Sequence, residues 1–140
     1  MNDLVTLVTA MGSLIATGAV LYSLIVLRNQ LRLQVFLEYT RRFDDIQFAP
    51  EHFNIIWTEM APEQSAAAQV AFRKYFDLCS QEWWLNQTGK IESGVWKVWS
   101  RGIEETINSR GGSFAWGQMR SSYGAVFPGF SSYVDSLKRA

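Results

Sequence analysis

The stretch LVTLVTAMGSLIATGAVLYSLIVL, Leu4 to Leu27, runs for two dozen residues without a charged side chain. At about 1.5 Å of rise per residue, a helix of that length crosses a hydrocarbon core of roughly 30 Å. The run predicts a transmembrane helix. A secretory signal peptide would have a shorter apolar core, a basic segment before it and a small-residue cleavage site after it. Here the basic residues follow the apolar run: Arg28, Arg32, Arg41 and Arg42 lie beyond it, and only Met1, Asn2 and Asp3 precede it. Positive residues resist translocation. The expected topology is a single-pass inner-membrane protein with its N-terminus outside and its C-terminal remainder in the cytoplasm.

Gly12, Ala16, Ala19 and Ser23 follow a four-three-four spacing that holds them on one side of this helix. Thr9, Ser13 and Thr17 form a neighbouring strip of small polar residues. Small side chains let helices approach closely in lipid. The stripe reads either as a packing interface for another transmembrane helix, a second copy or a partner, or as the ordinary composition of a membrane span.

Residues 1–30 are expected to form the anchor and residues 31–140 a helical cytoplasmic domain with one core. The chain's 13 basic and 13 acidic residues cancel, so the basic excess of a nucleic-acid binder is missing. Cys79 is the single cysteine and His52 the single histidine. No internal disulfide can form, and a zinc site built from both residue types is excluded in practice. We expect no metal and no cofactor. Six tryptophans among an aromatic content of 14% provide enough apolar surface to make the remainder a folded domain, not a disordered tail.

Neither Gly nor Pro occurs from Val20 to Ala49, and Leu33, Phe36, Leu37, Tyr39, Thr40, Phe43 and Ile46 recur at helical spacing. One helix is therefore expected to leave the membrane and continue into the domain. Arg28, Arg32, Arg41 and Arg42 serve as topology anchors or meet lipid head groups, at about 1 kcal/mol per residue near an anionic surface. Pro50 opens a short second helix to about Met60, with His52 off its apolar stripe. A third helix runs from Glu63 to about Asn86, stopped by Gly89. A fourth begins near Glu92 or Ser93 and ends at Arg110-Gly111-Gly112. Ser113 caps a fifth, Val126 to Gly129 turn the chain, and Phe130 to Leu137 form the last. No strand pattern appears, so the expected fold class is all-α: an N-terminal transmembrane helix continuing into a small cytoplasmic helical bundle.

Glu82 lies one turn after Leu78 and beside Trp83, which makes it the candidate buried acid. It is expected to find an ion-pair partner such as Lys97 or Arg101, or else to hold a proton. Trp83 and Trp84 diverge by about 100° on a helix, so one of them must lie at an edge. No catalytic constellation is legible. Gly111 to Gly117 has glycines without a phosphate-binding lysine, and the pairs Asp44-Asp45 and Glu104-Glu105 diverge on a helix.

The runs Phe36-Leu37-Glu38-Tyr39-Thr40-Arg41-Arg42-Phe43, Tyr75-Phe76-Asp77-Leu78-Cys79-Ser80-Gln81-Glu82-Trp83-Trp84-Leu85, Gly89-Lys90-Ile91 and Val95-Trp96-Lys97-Val98-Trp99 resemble a family of small bacterial membrane-anchored proteins with a domain of unknown function. The resemblance implies an anchor and a helical domain, and no site residue. Beside a disfavoured reading, an enzyme acting at the membrane surface through Glu82 and His52, two readings of function stand. One is a non-catalytic interaction module, an accessory or scaffold subunit in contact with lipid and with another transmembrane helix. The other is a membrane-tethered sensor or effector whose helical domain binds a ligand. An apolar pocket lined by Trp and Tyr would favour the second, and a fully packed core would oppose it.

Overall fold

The longest element of the computed structural model is α1, Asn2–Asp44, 43 residues of unbroken helix. The structure describes residues 2–46, 48–49, 51–124, 126–127 and 129–138, with the side chains of residues 2–5 and 8–10 outside the description. Expectations placed on Pro50, Pro128 and the Thr9 side chain fall outside the described residues. The described residues form an all-α protein with no strand. Its chain divides into two units, Met1–Val35 and Phe36–Ala140.

In the first unit α1 is long and apolar enough to cross a membrane, and none of its apolar window is buried in protein. Two hydroxyls in this segment bond back to their own helix. Thr17 donates to the Ser13 carbonyl at 2.8 Å and Ser23 to the Ala19 carbonyl at 2.8 Å. Polar groups satisfied within the helix are the kind an apolar solvent tolerates.

The second unit is built around α3, Pro62–Gln87, with a proline in its first turn, where a missing N–H costs nothing. A Schellman arrangement stops it. The Lys90 N–H returns to the Leu85 carbonyl at 2.9 Å and the Gly89 N–H to Asn86 at 3.0 Å, with Gly89 left-handed at φ 65°. Ala68, Phe72, Tyr75, Phe76 and Cys79 share its buried face. Around it lie α2, Glu51–Asn54; a 3-10 helix, Trp57–Glu59; α4, Ser93–Ile107; α5, Arg110–Tyr123; and α6, Phe130–Ser136.

An aromatic chain fills the centre. Phe76 meets Trp116 edge to face at 5.1 Å, and Trp116 meets Phe130 at 5.7 Å; such pairs add about 0.5–1.5 kcal/mol beyond their area. The buried Trp116 indole donates to Asp135 at 2.9 Å, and Arg120 holds the other oxygen of that carboxylate at 2.6 Å. Trp83 is half-buried against Phe130 and Trp84 is exposed, so the adjacent tryptophans do part.

Two boundaries differ from expectation. The second helix lasts a single turn before the 3-10 helix takes over. Gly111 and Gly112 do not end α4; they open α5, which Ser109 caps by accepting the Gly112 N–H at 3.1 Å. Packing explains it. A Cβ on Gly111 would lie 1.8 Å from the His52 carbonyl oxygen, and one on Gly112 2.0 Å from that of Thr106. Glycine is required here so that backbones can meet.

Candidate functional site

Within the second unit, three helices leave a cleft of about 320 Å³. Residues Phe36, Tyr39, Thr40 and Phe43 of α1 form one wall. Tyr75 and Glu82 of α3 form the floor, and Val98, Trp99 and Gly102 of α4 complete it. Helical periodicity explains each set: 36, 39, 40 and 43 share one face of α1, and 98, 99 and 102 one face of α4.

The walls are braced by ring contacts. Trp99 stacks on Tyr39 at 5.6 Å and lies parallel to Phe36 at 6.3 Å. Phe43 meets Tyr75 edge-on at 6.3 Å. Behind Tyr39, its hydroxyl donates to Gln81 Oε1 at 3.4 Å. Arg42 donates to the same oxygen at 3.0 Å and to Glu38 at 2.9 Å. The Arg42 guanidinium also sits 5.3 Å from the Tyr39 ring centre, within cation–π range. The wall polar groups are thus committed outward or, in the case of Thr40, to the Phe36 carbonyl of their own helix.

Gly102 gives the cleft its room. A Cβ there would meet no atom within 4 Å.

Glu82 is buried, at 6% exposure. The expected ion pair does not form. Arg101 turns to solvent and pairs with Glu105 one turn along α4 at 3.0 Å, Lys97 is exposed on the same helix, and α4 presents uncharged residues to the cleft. Among the described residues Glu82 makes no hydrogen bond and no ion pair, whereas every fully buried polar side-chain atom has a partner. The Glu82 oxygens must therefore reach the cleft. Burial without a partner pushes its carboxyl up to about 8, because an ion deprived of water is disfavoured. An empty cleft at neutral pH consequently holds mostly the protonated acid.

The other reactive side chains lie apart from this arrangement. Cys79 is fully buried, and burial first, then the nearby Glu82 charge, hold its thiol well above the ordinary range. A thiolate nucleophile is disfavoured there. His52, expected off the apolar stripe, is buried instead: its helix is one turn long, and the ring accepts the Ala49 N–H at 3.3 Å beside Phe48. Among the described residues no three of His, Cys, Asp and Glu converge as metal ligands.

In the first unit Gly12, Ala16, Ala19 and Ser23 are all exposed, as is Arg28. Arg41 and Arg42 close the last turn of α1, both on Glu38, at 3.9 and 2.9 Å. The sequence had no signal for the cleft, which needs vacancy among side chains some 40 and 60 positions apart.

No protein-family model, no curated protein and no solved structure matches this chain.

Proposed function

We propose that the chain is a single-pass membrane protein whose cytoplasmic helical domain binds a small ligand, as the receiving part of a sensor or effector. The observation that carries this reading is the aromatic cleft with a buried, unpartnered carboxyl group on its floor. Leaving such a group without a partner costs stability. A fold that retains one facing an apolar space of ligand size is better explained by a bound molecule than by packing. One wall of the cleft belongs to α1, the helix that also holds the apolar segment. Occupancy of the cleft therefore bears directly on an element that reaches the anchor. In this reading the anchor sits in the inner membrane with its N-terminus outside, Arg28 and Arg32 at the cytoplasmic surface and Arg41 and Arg42 within the domain. The protein uses no cofactor and performs no chemistry of its own.

The test is retention of a ligand. Native mass spectrometry of the full chain released from its own membranes should show a bound small molecule. That molecule should be lost in Gly102→Leu, which fills the cleft from a position with open space beside it. A bare protein, or a molecule retained equally by the variant, contradicts the reading.

A second reading is supported by a separate observation. The small residues Gly12, Ala16, Ala19 and Ser23 share one face of α1, the kind of face on which transmembrane helices pack closely. It makes the protein an accessory or scaffold subunit of a membrane complex. Crosslinking from this stripe in native membranes should recover one partner or a second copy. Random neighbours would sink the idea.

A further inference from the structure

The cleft also has a chemical preference, and the argument for it rests on the ligand-binding reading above. The one ionisable group on its floor whose charge lacks a partner is acidic. From α1 that group is faced by Tyr39, and from α3 by Tyr75 and Cys79. Trp99, Val98 and Gly102, which α4 presents, carry no charge. Arg42, the nearest cation on α1, is held by Glu38 and Gln81. Among the described residues no protein cation therefore answers Glu82, and an anionic ligand would find no cation in the lining of the cleft. The lining includes the rings of Phe36, Tyr39, Tyr75 and Trp99, and organic cations are held over the faces of such rings.

We infer that the cleft is a site for a small organic ammonium ion with an apolar arm, its charge on Glu82 and its arm against Trp99 and Phe36. Entry of the cation ionises the carboxyl group. The proton leaves Glu82 for solvent, and the ammonium takes its place as the neutralising charge. Because burial holds that proton to about pH 8 in the empty cleft, binding at neutral pH releases close to one proton per site. The ammonium could arrive on a soluble amine or on the head group of an aminophospholipid.

The experiment uses the full chain in nanodiscs of phosphatidylglycerol, which carry no amine. Phenethylammonium, hexylammonium and tetramethylammonium are titrated by calorimetry in two buffers of different ionisation heat, beside the neutral phenethyl alcohol and hexanol. The expected result has three parts. The ammonium ions bind at least tenfold more tightly than the alcohols, with a proton released. Tetramethylammonium, whose charge does not titrate, binds more tightly as pH rises through about 8. Glu82→Gln then loses the preference for charge, and Gly102→Leu loses all binding. Alcohols binding as well as the amines, or an unchanged affinity in Glu82→Gln, overturns the inference and leaves the ligand-binding reading standing. Absence of binding by every probe, with Gly102→Leu indistinguishable from wild type, overturns both. Competition when phosphatidylethanolamine is added to the nanodisc assigns the ammonium to lipid; its absence assigns it to a soluble amine.

Discussion

A single carboxyl group dominates at the scale of residues. Glu82 is uncharged when its cleft is empty at neutral pH, and this has a consequence for stability with a definite sign. Its folded-state value of about 8 lies above its unfolded value near 4.3. Its favourable contribution is therefore complete below about pH 4 and is lost as pH rises to about 8, with a slope approaching about 1.4 kcal/mol per pH unit. Glu82→Gln should flatten that slope, so thermal unfolding scans at pH 5 and pH 9 should show the variant gaining on wild type at the alkaline end. A gain at the acid end would mean that the carboxylate is stabilised by an unseen cation. Gly111 yields a prediction of a different kind. Its missing Cβ leaves room for the His52 carbonyl, and Gly111→Ala should cost about 3 kcal/mol, measurable by urea denaturation. The burial of Glu82 was legible from its place beside Leu78 and Trp83. Its lack of a partner was not, because that depends on α4 turning Lys97 and Arg101 away.

Among elements, the ones the sequence reveals are those whose apolar spacing persists. α1 and α3 are read from uninterrupted periodicity and a clear stop at Gly89. The α4–α5 junction misleads because two adjacent glycines ordinarily break a helix, whereas here they are demanded by neighbours distant in sequence. Ser109, not Ser113, holds the cap, and Ser109→Ala should destabilise the domain by about 1 kcal/mol. Gly102 sits inside α4 with nothing beside it. Gly102→Ala should therefore raise stability by up to about 1 kcal/mol, as measured by thermal unfolding. A loss there would mean that the open space beside Gly102 is not open. That result would remove the cleft before any ligand is tried.

For the whole molecule, the proposed arrangement of the chain follows from which solvent each part would meet. α1 is apolar and unburied along the length that a membrane requires, while most of the aromatics beyond it pack in or against a core. On the proposed reading the anchor and the domain are stabilised by burial in different surroundings, and the basic residues between them set the direction. The long apolar helix and the all-α class could be read from hydropathy and helical periodicity. The cleft could not, since an empty space has no sequence pattern. What is proposed for the cleft as a cytoplasmic receiver depends first on this orientation. The measurement that addresses it most directly is labelling of single engineered cysteines, Asn2→Cys and Ser132→Cys, with an impermeant maleimide in right-side-out membrane vesicles. Cys79 is buried and gives little background. The account predicts immediate labelling at position 2, and labelling at position 132 only after the vesicles are opened. Labelling at position 132 in sealed vesicles, or recovery of the protein in the soluble fraction, would contradict it.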